Sequence, residues 1–357
     1  MVGHAFSRLI CFSDLFIQTK SDQVTDSDTD KSPRKLRPAK WRLLVGLSLS
    51  GLCIFLALRD VSLGELKEVL SEAHWGWVML TTATFVLTHF LKAFRWRLFF
   101  PSPKVRLSKV VGVYFIGQML NAVFPARAGD VGRVFLIGED QQVSRGSALS
   151  TVIMEKIVDL MMLCFVYLLV SVWLNQTAIG IPVWLTDAGR VLLPLAGLGL
   201  VGLLTFILSG HRVWNILKQG LAPLPAHWQL SANNAAENAI TAFERFGHGR
   251  MFLPILLWSL LIWGFMVLTP ALLFPAFHLV LSPWVAVLLT VVLISGVAVP
   301  PLPGNLGVFA YLCQLVLVIF GVERETALAF GVTLQAIVFI PQVILGLICL
   351  LRDNHSE

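Results

Sequence analysis

Long apolar runs, cut by short polar stretches, dominate the chain from residue 41 onward. Runs at about 41–58, 75–94, 149–174, 187–209, 252–276 and 327–351 are continuous. A helix crossing a bilayer takes about 20 such residues. The pattern therefore predicts about six full spans. Two further apolar stretches are interrupted. Residues 110–124 fall short of a span and end in Phe124-Pro125-Ala126-Arg127-Ala128-Gly129-Asp130-Val131-Gly132-Arg133, and a short apolar piece, 134–138, follows. Residues 284–299 stop at Pro300-Pro301-Leu302-Pro303-Gly304-Asn305-Leu306-Gly307, before the apolar piece 308–320. Each reads either as one broken span or as a re-entrant hairpin.

The charge between the runs decides between these readings. Residues 1–40 precede the first span, and 20–33 have the Asp/Ser/Thr composition of a disordered segment. Lys31, Arg34, Lys35, Arg37, Lys40 and Arg42 then flank the first span without an acid. A basic flank places a loop in the cytoplasm. Arg95, Arg97, Lys104, Arg106 and Lys109 mark a second cytoplasmic loop, and the basic excess of 210–250 a third. Between them, 59–73 carries Asp60, Glu65, Glu68 and Glu72 and reads as external, as does 321–326. Ser62-x-x-Glu65 is a helix-start pattern, and Leu63, Leu66, Val69 and Leu70 share the face of a short surface helix. With these sides fixed, 110–138 enters and returns from the cytoplasm, and 284–320 enters and returns from outside. Glu139 and Asp140, against Arg145, oppose the cytoplasmic placement of 139–148, but the longer loop outweighs them.

Composition narrows the class. Hydrophobic residues make up 56% of 357 and charged residues 13%, with a mean hydropathy of +0.78. Soluble domains carry about 25% charged residues. An ordinary soluble enzyme, a disulfide scaffold and a disordered chain are excluded. The runs are too long and too continuous for an outer-membrane barrel. Cys11, Cys53, Cys164, Cys313 and Cys349 form no CxxC or metal-ligand spacing. The expected fold is an all-α polytopic membrane protein with about six full spans plus two re-entrant Pro/Gly-broken hairpins. A transmembrane domain over 41–351 lies between cytoplasmic tails at 1–40 and 352–357.

The two breaks share a pattern. Pro125-x3-Gly129-Asp130-Val131-Gly132 matches Pro300-x3-Gly304-Asn305-Leu306-Gly307 at identical spacing. Opposite sides of entry make this the signature of an inverted repeat, whose Gly/Pro-interrupted segments point to a substrate site near the midplane. Irregular backbone at membrane depth must be buried in protein or line a wet cavity. Pro125, Gly129, Gly132, Pro300, Pro303, Gly304, Asn305 and Gly307 are thus expected to line one.

Candidate chemistry clusters at the first break. Arg127, Asp130 and Arg133 adjoin it, and Glu155, Lys156 and Asp159 lie in the following span. Glu155 and Asp159 share a helix face. Ionisable residues inside a span cost several kcal/mol unless paired or hydrated. One reading is a polar chamber for a charged headgroup, with Arg127, Arg133 and a helix starting near Gly132 offering donors to phosphate. The other is an internally neutral network of three cations and three anions. His89 and Lys92 read as a satisfied histidine and a snorkelling lysine. Gln118 and Asn121 line the chamber or cap freed carbonyls, and Gln335 and Gln342 suit interhelical hydrogen bonds. Trp75, Trp77 and Trp96 suit interface belts.

Three stretches together resemble the membrane domain of the lysylphosphatidylglycerol synthase/flippase family. They are Arg95-Trp96, PARAGDVGR at 125–133 leading to SRGSALSTVIMEKIVDLMML at 144–163, and PPLPGNLGV at 300–308. Asp130 stands where that family usually has Glu, Lys156 where it has Arg, and Asn305 where it has Gly; no acid follows the third stretch before Glu323. The resemblance implies movement of a polar phospho- or glycolipid between leaflets of the inner (plasma) membrane. Some members carry a following aminoacyl-transferase domain. This sequence ends six residues after Leu351, so lysyl transfer is not expected of it. The expectation is a non-enzymatic transporter with no catalytic residue, metal or cofactor. A transferase acting on a lipid or polyprenyl phosphate, or an accessory subunit of a lipid or glycan synthesis complex, is the alternative. The partners expected are a membrane lipid, the bilayer, and a second copy or lipid-synthesis enzymes, but no nucleic acid.

Overall fold

The computed structural model describes residues 62–100, 105–124, 128–138, 143, 145–177, 252–298 and 307–353, with isolated positions between 183 and 233. Among these residues the fold is all-helical: α1 (Leu63–Glu72), α2 (Trp75–Leu98), α3 (Leu107–Val123), α4 (Ala128–Gly138), α5 (Arg145–Asn175), α6 (Phe252–Leu273), a 3-10 turn (Pro275–Phe277), α7 (Pro283–Ala298), α8 (Val308–Ile319) and α9 (Arg324–Asp353). The spans expected at 41–58 and 187–209, and the tail at 1–40, lie outside the described residues.

Among the described residues four helices are long and apolar enough to cross a membrane: 75–98, 146–175, 253–277 and 324–352. They coincide with four of the expected runs. Their outward faces are apolar, as lipid contact requires: Leu257, Leu260 and Leu261 on α6 are exposed, as are Ile340, Ile344 and Leu347 on α9. Hydroxyls inside α2 are satisfied locally, with Thr81, Thr84 and Thr88 each donating to the carbonyl four residues back.

α1 forms as its pattern predicts. The Ser62 hydroxyl accepts from the Glu65 amide, and Leu66, Val69 and Leu70 turn onto the core. The His74 amide donates to the Ala276 carbonyl at 2.9 Å, joining the start of α2 to the end of α6. Trp173 stacks on both Trp284 and Phe320, so the end of α5, the start of α7 and the end of α8 lie together. A separate core gathers Phe99, Phe100, Val105, Val110, Ile137, Val143 and Ala148, which joins the end of α2 to the start of α3, the end of α4 and the start of α5.

Both broken segments are helical hairpins. In the first, Asn121 and Gly117 of α3 meet Gly129 of α4, and Gly117 also meets the Arg133 stem, so the helices run antiparallel. In the second, Gly296 of α7 abuts Leu312 of α8. The breaks themselves, with Pro125, Arg127, Pro300, Pro303, Gly304 and Asn305, lie outside the described residues.

One expectation is corrected here. α4 already includes Ala128 rather than beginning near Gly132, so Gly129 and Gly132 are helical. Two local features favour the early start. The Asn121 side chain accepts from the Gly129 amide at 2.8 Å, and Asp130 places an acid in the first turn. The matched Gly307 instead has φ +82° and precedes α8.

Candidate functional site

The site is built on α5. Glu155 and Asp159, one turn apart, each hold an arginine from a different helix. Arg133 of α4 donates through Nη2 to Glu155 Oε2 at 2.5 Å. Arg95 of α2 donates through Nη2 to Asp159 Oδ1 at 2.7 Å and through Nη1 to the Ser259 hydroxyl of α6 at 3.1 Å. That hydroxyl in turn donates a hydrogen bond to the Ile255 carbonyl. Lys156 reaches Asp130 at 3.0 Å, and Asp130 also faces Arg133 at 3.7 Å and accepts from the Asn121 amide. Five helices, α2 to α6, are thus tied through these charged groups and their hydrogen-bond partners.

Aromatic rings complete the setting. The Arg133 guanidinium lies 4.0 Å from the Trp96 ring centre and 4.8 Å from that of Tyr114. Such stacking favours a cation whose hydration has been removed. Trp96 is fixed in turn by its indole N–H, which donates to the Thr151 hydroxyl at 3.0 Å.

The exposure of the charged side chains is graded. Arg95 and Arg133 are sealed at 0% and Glu155 nearly so at 4%, whereas Asp130 is 14%, Asp159 28% and Lys156 40% exposed. The cluster is closed at its arginines and open at Asp130, Asp159 and Lys156. Beside it, the His89 Nδ1 lies 3.0 Å from the Phe85 carbonyl. A carbonyl only accepts, so Nδ1 carries the proton and Nε2 accepts from Gln342 of α9 at 3.2 Å. His89 is a satisfied histidine and Gln342 an interhelical partner, as expected of both.

The structure brings together Asp130, Arg133, Glu155 and Lys156, with Asp159 one turn along. Arg127 lies outside the described residues. Several partners escaped the sequence reading. Arg95 is not a loop cation: α2 continues to Leu98 and turns Arg95 inward. Trp96 is fully buried rather than in an interface belt. Asn121 caps a freed N–H, not a carbonyl. Tyr114 and Ser259 carried no sequence signal beyond a polar group in an apolar run. Among the described residues no group of three or more His, Cys, Asp or Glu side chains could hold a metal ion.

These helices and their buried charges define a polytopic helical membrane protein with a charged intramembrane cluster. The family described as the lysylphosphatidylglycerol synthase TM region matches residues 43–346, and the chain belongs to that family. It is similar to a UPF0104 membrane protein of Pyrococcus horikoshii, 22% identical over 343 residues, which cover 87% of this chain and 96% of that one. It is also similar to glycosyltransferase AglD of Haloferax volcanii, 27% identical over 121 residues. That match covers 33% of this chain and 19% of the glycosyltransferase. No solved structure matches the chain well enough to count as similar.

Proposed function

We propose that the chain is a flippase that moves a polar lipid between leaflets, with Asp130, Arg133, Glu155, Lys156 and Asp159, together with Arg127, contacting the headgroup. The graded exposure of the charged cluster carries this reading. A closed ion-pair network would stabilise a membrane fold poorly, because desolvation offsets the attraction. Charged groups left open at membrane depth require water rather than hydrocarbon around them. A hydrated polar cleft beside an apolar lipid-facing surface is what passage of a headgroup demands. Membership of a family whose name refers to a lipid synthase supports a lipid substrate.

The hairpins α3–α4 and α7–α8 serve as the two halves of an inverted repeat around that cleft. Support comes from their contacts: α3 and α4 open onto the core around Phe99 and Val105, whereas α7 and α8 open beside Trp173 at the far end of α5. The basic flanks, without Lys92 and Arg95, orient both termini to the cytoplasm of an inner membrane. The partial likeness to a glycosyltransferase favours a second reading, transfer of a group onto a lipid-linked carrier by the same cluster.

Reconstitution tests both. Vesicles carrying the protein and a headgroup-labelled lipid are expected to expose inner-leaflet label to a membrane-impermeant quencher faster than protein-free vesicles. Arg127→Ala, Arg133→Ala and Glu155→Ala are expected to abolish this while still inserting. Wild-type movement in all three folded variants overturns the site assignment. Covalent modification of the lipid without movement favours the transferase.

A further inference from the structure

The cluster has more cations and more donors than its own acids can use. Lys92 of α2 is partly buried and lies one helical turn before Arg95, on the same side of the helix. Among the described residues no carboxylate lies within ion-pair distance of it. Asp159 is taken by Arg95, Glu155 by Arg133, and Asp130 is shared by Lys156 and Arg133. The described charges are thus Lys92, Arg95, Arg133 and Lys156 against Asp130, Glu155 and Asp159. The excess is positive.

The hydrogen-bond inventory points the same way. Arg95 Nε, Arg133 Nε, Arg133 Nη1 and the Tyr114 hydroxyl are buried without a hydrogen-bond partner. The three guanidinium nitrogens can only donate. A buried donor without an acceptor is costly and calls for a structural reason. Surplus positive charge and surplus donors describe one complement: an acceptor-rich anion.

We infer that the group this cleft takes is a lipid headgroup of net negative charge, a phosphate ester, with the Lys92 and Lys156 ammonium groups as its first contacts. This rests on the flippase reading and narrows its substrate class. Lys156 is the most open charge of the cluster and Lys92 the one without a carboxylate, so an oxyanion entering the cleft meets them before the sealed arginines. Arg133 has no hydrogen bond at Nε or Nη1, Nη1 only facing Asp130 at 3.7 Å, while Nη2 holds Glu155, so a phosphate oxygen would add to that pair rather than having to displace it.

The test uses the full chain in vesicles, comparing labelled phosphatidylglycerol, phosphatidylcholine and a cationic trimethylammonium lipid. Phosphatidylglycerol is expected to move about tenfold faster than phosphatidylcholine, the size of one charge-assisted hydrogen bond. Lys92→Gln is expected to remove that difference and Lys92→Arg to keep it. Lys92 has no carboxylate to leave unpaired, so folding is expected to survive, and a monodisperse elution profile checks it. Equal rates, or faster movement of the neutral or cationic lipid, overturn the inference while leaving the flippase reading standing. An unchanged preference in Lys92→Gln overturns the assignment of Lys92. Movement of no probe overturns the flippase reading and the inference with it. Inorganic phosphate slowing transport as effectively as unlabelled phosphatidylglycerol identifies a free-anion site and overturns the lipid assignment.

Discussion

The two hairpins have similar lengths and opposite chemistry. α3 and α4 have 17 and 11 residues, α7 and α8 have 16 and 12. The first hairpin carries Asp130 and Arg133 and is held to α5 through charge. The second has no charged residue in either helix. It sits among Leu288, Leu289, Cys313, Val316, Leu317 and Phe330, all nearly inaccessible. A shared Pro/Gly pattern therefore specifies a shared backbone device without a shared role. The apolar hairpin is built as a packed wall. The charged one puts its polar groups where only pairing or water makes them tolerable. A chamber lined equally by both breaks is not needed for the flippase reading, since α2, the first hairpin and α5 supply the described charge of the cluster.

Glycine substitutions break this comparison most sharply. A Cβ at Gly129 would overlap the Gly117 carbonyl oxygen and sit 2.8 Å from the Asn121 amide nitrogen. Both obstacles are backbone, so only separation of α3 from α4 relieves them. The cost of Gly129→Ala is expected to exceed the ~1–3 kcal/mol of ordinary overpacking. The expected outcome is loss of monodisperse protein after detergent extraction. Normal yield and thermal stability would show that the hairpin tolerates opening.

The second effect in size concerns the ion pair. Glu155→Ala leaves the Arg133 guanidinium sealed without its anion, a change that typically costs ~3–5 kcal/mol. Arg133→Met/Glu155→Leu removes both charges and is expected to recover much of that stability while losing lipid movement. Thermal unfolding in detergent reads the first quantity and vesicle transport the second. Recovery of both stability and transport in the double variant would make the pair purely structural.

The elements were legible in the sequence and their partners were not. Four apolar runs became long helices near their expected bounds, because length and composition alone set a span. Glu155 and Asp159 were legible as one face, because helical periodicity is local. Arg95 was not, since it pairs with a residue 64 positions away. A basic residue after some 20 apolar ones reads as a flank under the charge rule, as Arg97 does. Trp96 failed for the same reason: the residue type suits both an interface and a guanidinium stack, and only the neighbouring helices decide. The Gly132 and Gly307 match held in spacing but not in backbone. A side-chain cap from Asn121 lets α4 start early, whereas Gly307 takes a positive φ that favours glycine.

The smallest expected effect lies on the apolar hairpin. The nearest atoms to a Cβ at Gly296 of α7 all belong to Leu312 of α8, with Cδ1 first. That atom is the far end of a side chain with two rotatable bonds, so a rotamer change clears it. Replacing glycine by alanine in a helix contributes up to about 1 kcal/mol in the other direction, by reducing the freedom of the unfolded chain. Gly296→Ala is therefore expected to change thermal stability by less than about 1 kcal/mol and to leave transport unaltered. Set beside Gly129→Ala, it separates two kinds of close approach. In one, a backbone meets a backbone and the contact fixes the geometry of charged groups. In the other, a backbone meets a flexible side chain and the contact only fills space. If Gly296→Ala instead stops lipid movement in a stable protein, α7 and α8 must slide past each other during transport, and the second hairpin is a moving part rather than a wall.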